Sequence, residues 1–122
     1  MTVFFYDSYA VIEYLRDNPT FRPYFEDHTG VLTFLNILEI YYSVLNEAGK
    51  DRADIVLEML FQLRIEPTKE IIKKVMTFRM ENKKQDLSYA DCLGYIIAQE
   101  QKILFLTGDS KFRDVKGVAF VR

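Results

Sequence analysis

The chain has 122 residues and a net charge of −2, and its composition is 49% hydrophobic and 15% aromatic. These values exclude a disordered chain, because so many apolar side chains can form a core. They also exclude a protein whose whole surface is basic for binding nucleic acid. No stretch reaches the roughly 18–20 apolar residues of a membrane span, and we expect no signal peptide. Cys92 is the only cysteine, so no intramolecular disulfide can form. We expect one cytoplasmic domain, residues 1–122, without membrane contact.

Short β-rich runs alternate with helical patterns along the chain. In the first half the predicted elements are a strand over 3–6, helices over 8–17 and 21–26, a strand over 31–33 and a helix over 34–48. In the second half they are a helix over 51–64, a strand over 64–66, helices over 68–82 and 88–101, and strands over 103–106 and 118–121. Such alternation predicts a three-layer α/β/α fold with a mostly parallel sheet of about five strands.

Four acidic residues occupy places that suit a metal-dependent phosphodiesterase: Asp7, Glu39, Asp91 and Asp109. Asp7 ends the first predicted strand, and Asp109 follows the strand over 103–106. If these strands are parallel neighbours, both acids meet at the carboxyl edge of the sheet, where ligands of open α/β sheets bind. Clustered carboxylates disfavour each other's ionisation unless a cation compensates them. Mg²⁺ or Mn²⁺ is the expected cation, because both ions prefer oxygen ligands.

Three of these acids also have a structural interpretation. Asp7 could cap the helix that begins at residue 8. Asp91 lies three residues after Ser88, which is the spacing of a capping box. Asp109 lies in a sequence typical of a turn. Gly94, one turn after Asp91, weakens its helix and indicates close approach by an ion, a strand or a substrate.

Glu39 interrupts the long apolar helix predicted over 34–48. A helix that is apolar nearly all round is buried, and a buried carboxylate needs a partner or a metal. We therefore predict that Glu39 is buried. The alternative is that Asn36, Glu39 and Ser43 form the solvent face of the helix.

Four segments resemble the motifs of the PIN-domain nucleases, and in particular those of the small VapC-like toxins. The segments are residues 3–8, 35–40, 87–93 and 104–112. Each contains one of the four acids, and the resemblance extends over essentially the whole chain. It implies a PIN-like domain that hydrolyses RNA with Mg²⁺ or Mn²⁺ bound by the four acids. The ion would activate water for in-line attack on a phosphodiester.

The resemblance assigns roles to further polar residues. Ser8, Asn36 and Thr107 match small polar positions that could hold the carboxylates or a water. Lys111 is a departure, because many relatives carry an additional acid there, so a second metal position is in question. Lys111 and Arg113 could position a phosphate, or they could be solvated surface residues.

The resemblance also implies a cognate antitoxin, an RNA substrate and a homodimer. A surplus of aromatic residues supports an interface, with core packing as the alternative. These residues are Phe21, Tyr24, Phe25, Tyr41 and Tyr42.

A basic run precedes Asp91 and could contact phosphates, although such runs are usually the solvated face of a helix. Its members are Lys73, Lys74, Arg79, Lys83 and Lys84. His28 is the only histidine, so a ribonuclease mechanism based on two histidines is excluded. Two other functions remain as alternatives. One is a receiver-like signalling domain, and the other is a PIN-like module that binds RNA or protein without cutting.

Overall fold

The computed structural model describes residues 1–122, and a four-stranded parallel sheet lies at its centre. The strands are β1 (Val3–Tyr6), β2 (Thr29–Val31), β3 (Leu104–Thr107) and β4 (Val118–Phe120). Their order across the sheet is β2-β1-β3-β4, so β1 has β2 on one side and β3 on the other. The predicted α/β class is confirmed, and the sheet has one strand fewer than expected.

Helices cover both faces of this sheet. They are α1 (Ser8–Leu15), α2 (Arg22–Glu26), α3 (Phe34–Ala48), α4 (Lys50–Phe61), α5 (Lys69–Glu81) and α6 (Tyr89–Gln101), with short 3-10 helices at Lys83–Gln85 and Ser110–Phe112. None of these helices combines the length and the apolarity that crossing a bilayer requires.

Alternate side chains of β1 point to opposite layers of helices. Phe5 stacks with Phe105 of β3, with ring centroids 5.8 Å apart, and both side chains are fully buried. These two rings pack against Gly94 of α6. On the other face, the ring of Tyr6 stacks on Phe25 of α2 at 4.2 Å. The alternation of β1 therefore joins the two helical layers into one core.

The predicted strand over 64–66 is wrong. Only one bridge forms there, between Leu32 and Arg64. Pro67 follows and has no backbone N–H to extend a ladder. The segment therefore lies along the edge of the sheet without becoming a fifth strand.

The second strand lies two residues earlier than predicted, at Thr29–Val31 instead of 31–33. The difference arises because Thr33 belongs to the start of α3. Its backbone N–H donates to Oδ1 of Asn36 at 3.1 Å, and its hydroxyl donates to the same oxygen at 3.0 Å. A residue held in this way at the N-cap of a helix cannot also continue the strand.

Gly94 generates a test of the packing between α6 and the sheet. A Cβ at this position would meet the ring of Phe105 at 2.9 Å and would approach Phe5 still more closely. We expect Gly94→Ala to destabilise the protein by about 1–2 kcal/mol, because overpacking costs ~1–3 kcal/mol and helix propensity returns up to ~1 kcal/mol. Urea denaturation measures the change. The control is Gln101→Ala at an exposed position of α6, and a stabilised Gly94→Ala protein would contradict the packing described here.

Candidate active site

The pairing of β1 with β3 brings Asp7 and Asp109 to the same edge of the sheet. The hydroxyl of Thr107 donates to Oδ2 of Asp7 at 2.6 Å and accepts the backbone N–H of Asp109 at 3.0 Å. Asp7 is only 3% exposed. It occupies the N-cap position of α1, but its side chain makes no capping hydrogen bond. The carboxylate of Asp7 is therefore held by Thr107 and does not serve to cap the helix.

A chain of hydrogen bonds leads from the start of α3 to Glu39. Oδ1 of Asn36 accepts from Thr33, and the Asn36 amide donates to the hydroxyl of Ser8 at 3.0 Å. That hydroxyl in turn donates to Oε1 of Glu39 at 2.6 Å. Asn36 and Thr33 are fully buried. Ser8, Asn36 and Thr107 thus contact or support the candidate acids, and Thr33 is an additional member that the sequence analysis missed. The three-residue spacing of Thr33 and Asn36 at the start of α3, which is that of a capping box, is the sequence signal for its role.

Glu39 itself is exposed, contrary to the predicted burial. The alternative of a polar solvent face is also wrong, because Asn36 is buried. The exposed residues of α3 include large apolar side chains next to Glu39, with Leu38 and Tyr42 exposed by 60% and 67%. Although Glu39 is exposed overall, its carboxylate turns inward to Ser8. Because apolar residues such as Leu38 and Tyr42 lie on the solvent side of α3, the helix has the sequence pattern of a buried one.

Asp91 and Asp109 both use one carboxylate oxygen to order the local backbone. Oδ2 of Asp91 accepts the N–H of Ser88 at 3.0 Å, and the Ser88 hydroxyl accepts the N–H of Asp91 at 3.1 Å. Oδ1 of Asp109 accepts the N–H of Lys111 at 3.0 Å. The capping and turn interpretations are therefore realised, and they leave Oδ1 of Asp91 and Oδ2 of Asp109 free.

The four acids interact electrostatically. Burial raises the pKa of Asp7 from 3.8 to about 7, and the charges of Asp91, Glu39 and Asp109 add to this rise while the Thr107 hydrogen bond opposes it. Burial also raises the pKa of Glu39 and of Asp91. The charge of Asp91 adds to the rise at Glu39, and that of Asp109 to the rise at Asp91. The site thus concentrates negative charge that the protein alone does not neutralise.

The donor set has the chemistry for a hard divalent cation. Each of the four carboxylates gives one oxygen to a protein hydrogen bond and leaves its second oxygen without one. Carboxylate oxygens are the preferred ligands of Mg²⁺ and Mn²⁺. Nowhere in the chain, however, do three Asp, Glu, His or Cys side chains lie close enough together to hold one ion. The arrangement is therefore open, and ligation requires the free oxygens to move inward.

The two candidate phosphate-binding cations differ in their placement. Lys111 donates from Nζ to the backbone carbonyl of Asp86 at 2.8 Å, and its positive charge opposes part of the rise in the pKa of Asp91 that burial causes. It thereby ties the loop after β3 to the connection that precedes α6. The guanidinium of Arg113 lies over the ring of Phe120, 4.9 Å from its centroid. Of the two cations, Lys111 is the one that acts electrostatically on the site.

Comparison with known proteins agrees with this architecture. A model of the PIN domain family matches residues 4–118, so the chain belongs to the PIN domain family. The fold is similar to that of a chain in a toxin–antitoxin complex from Klebsiella pneumoniae, with a TM-score of 0.73 and 16% sequence identity. The similarity covers 97% of this chain and 95% of the other. No curated protein matches the sequence significantly.

The raised pKa of Asp7 predicts a pH dependence of stability without divalent ions. Because this pKa is about 7 in the folded protein and ordinarily 3.8, the folded state binds the proton more tightly. The stabilising contribution is complete below about pH 4 and is lost as the pH rises through about 7. Relative to Asp7→Asn, wild type should lose on the order of 1.4 kcal/mol per pH unit in this window. Urea denaturation in EDTA measures the difference, and parallel pH profiles of the two proteins would contradict it.

Proposed function

We propose that the protein is a Mg²⁺- or Mn²⁺-dependent endoribonuclease and the toxin of a toxin–antitoxin pair. The observation that carries the proposal is that four carboxylates lie around the carboxyl ends of β1 and β3, near enough to influence one another's ionisation. Asp7, Glu39, Asp91 and Asp109 each have a free oxygen, and Asp7 is buried without a cationic partner. Membership of the PIN domain family supports nuclease chemistry. RNA as the substrate follows from the resemblance to VapC-like toxins and agrees with the expected cytoplasmic location.

Asp7, Asp91 and Asp109 would hold the ion, with Glu39 bound directly or through water. When bound, the ion supplies a positive charge that activates water and stabilises negative charge on the phosphoryl group in the transition state. Thr107 fixes Asp7 and Asp109 relative to each other through its two hydrogen bonds. Ser8 holds Oε1 of Glu39. If Glu39 meets the ion through water, its Oε2 could accept a proton from that water. The raised pKa of Glu39 suits it to that transfer.

Lys111 favours a single ion. Many relatives have an additional acid at this position, and a lysine cannot provide a carboxylate ligand for a second ion. Its charge reaches Asp91, so it compensates part of the negative charge. The receiver-like alternative has no remaining support, since a PIN family model matches residues 4–118. A PIN-like module that binds without cutting stays as the alternative that the next experiment decides.

The test combines metal binding with RNA cleavage. Mn²⁺ is titrated calorimetrically into wild type and into an Asp7→Asn/Asp91→Asn double variant, and cleavage of a mixed RNA is scored in parallel. We expect about one ion per wild-type chain and weak or no binding by the variant. Cleavage should fall at least about a hundredfold, because the ion contributes several kcal/mol to transition-state stabilisation.

Asp51→Asn is the matched control, because Asp51 is an exposed aspartate in the first turn of α4, outside the cluster. It should bind Mn²⁺ and cleave RNA like wild type. Metal binding by wild type without any cleavage would favour the non-cutting module. An unaltered cleavage rate in the double variant would exclude the carboxylate mechanism.

The proposed partners are a cognate antitoxin and a second copy of this chain. The structural relative from a toxin–antitoxin complex supports the antitoxin. The predicted aromatic interface over residues 21–25 has no support, because Phe21 is buried and Phe25 stacks on Tyr6 and Tyr14. Exposed apolar side chains lie instead along α3, and Leu38 and Tyr42 are the most exposed of them. An exposed apolar surface of this kind is typical of protein interfaces.

We expect the isolated protein to form a homodimer through this side of α3. Light scattering should give twice the mass of the 14.4 kDa chain. Leu38→Glu should shift the equilibrium toward monomer, because it places a charge within the apolar contact. Ile72→Glu, at a similarly exposed position of α5 (51%), serves as the control. A monomeric wild type at high concentration would remove the dimer from the proposal.

A further inference from the structure

The basic run before Asp91 divides into paired and unpaired cations. Lys73 lies 3.9 Å from Glu70, and Lys74 lies 2.6 Å from Glu100. Arg79, Lys83 and Lys84 have no carboxylate partner. The unpaired cations are therefore the ones nearest in sequence to the start of α6, which carries Asp91.

The first residue of α6 adds an exposed aromatic ring to these cations. Tyr89 is 57% exposed. It directly follows Ser88, whose backbone N–H and hydroxyl are both hydrogen-bonded to Asp91. The guanidinium of Arg79 lies over the Tyr89 ring, 4.4 Å from its centroid. Arg79 covers part of the ring, and the exposed remainder is available for stacking.

The connection between α5 and α6 is held against the candidate active site. Nζ of Lys111 donates to the carbonyl of Asp86 at 2.8 Å. Arg79, Lys83 and Asp86 line a shallow polar cavity in the same connection. The carboxylate of Asp86 is the only acidic group among these lining residues. The Lys111 hydrogen bond therefore joins the connection that carries Lys83 to the loop that carries Asp109.

We propose that Tyr89 and Arg79 form a platform on which an unpaired RNA base stacks, with Lys83 and Lys84 contacting the adjacent phosphates. The inference rests on the proposed ribonuclease function and assigns to Tyr89 and Arg79 the recognition of one unpaired base of that RNA. Unstacked bases bind to aromatic rings and to guanidinium planes, and this platform offers both groups together. A duplex keeps its bases stacked internally and cannot present one to Tyr89. The platform therefore selects a loop or an unpaired strand next to the scissile phosphate.

The test measures RNA binding without cleavage. Fluorescence anisotropy is recorded in EDTA with a labelled single-stranded oligouridine and with the same strand annealed to its complement. Tyr89→Ala should weaken binding of the single strand roughly tenfold, because one base–aromatic stack is lost. Tyr89→Phe, which keeps the ring, should bind like wild type, and duplex binding should be unchanged in both variants.

The phosphate contacts have a separate readout. Lys83→Ala/Lys84→Ala should reduce the slope of log affinity against log salt by about 1.4, since each single-strand contact contributes ~0.7. In the cleavage assay, Tyr89→Ala should raise KM and leave kcat within about twofold, because the ring holds a flanking base and not the reacting phosphate.

Phe61→Ala is the matched control. Phe61 is 51% exposed and has the guanidinium of Arg64 4.0 Å from its ring centroid, and Arg64 forms a bridge with Leu32 away from α6 in the chain. Its removal should not affect RNA binding. Equal single-strand affinity of Tyr89→Ala and wild type would overturn the platform. Because binding is measured without metal, failure of the nuclease proposal would appear separately, as loss of cleavage with binding retained.

Discussion

The parallel pairing of β1 with β3 is the constraint on which the site depends. Asp7 and Thr107 are 100 residues apart in sequence, and they lie within hydrogen-bonding distance because the two strands are neighbours. The chain leaves β1 toward β2 on one side and returns to β3 on the other, so the carboxyl ends of β1 and β3 form the point where strand order reverses. Helices α3 and α6 then bring Glu39 and Asp91 to that point. Any change that separates β1 from β3 would disrupt both the site and the hydrophobic core.

The acid cluster opposes the stability of the fold that contains it. Asp7 is almost fully buried, and the carboxylates around it raise its pKa further. A buried carboxylate without a cation favours its neutral form. A cation that binds the folded state alone would stabilise that state and keep Asp7 ionised. The open arrangement of the acids is therefore consistent with a site that closes on an ion, because each carboxylate is held by only one oxygen.

Much of this architecture follows from local sequence. The runs before Asp7 and Asp109 are apolar and short, which predicts buried strands. The two acids meet at one edge of the sheet only if those strands are parallel neighbours, and the structure pairs them in that way. The prediction of a strand over 64–66 is wrong because this segment forms only one bridge, to Leu32, and Pro67 ends it. A local sequence pattern does not show which segments pair. The predicted burial of Glu39 is wrong for a related reason. An apolar stripe on α3 faces solvent, and periodicity cannot distinguish an exposed apolar surface from a buried one.

Asp91 and Asp109 each serve two purposes, which explains why the sequence alone does not distinguish a structural role from a metal-binding role for either acid. One oxygen of Asp91 completes a capping box while the other is free, so the structural and functional interpretations describe different atoms of one residue. Asp109 is divided in the same way. Local hydrogen bonds restrict the orientation of each carboxylate before any ion arrives, which reduces the conformational entropy lost on binding even though the carboxylates must still move closer together. The same residues that begin α6 and turn the chain after β3 therefore preorganise the proposed site. A residue that served only one of these purposes would leave either the backbone or the carboxylate unrestrained.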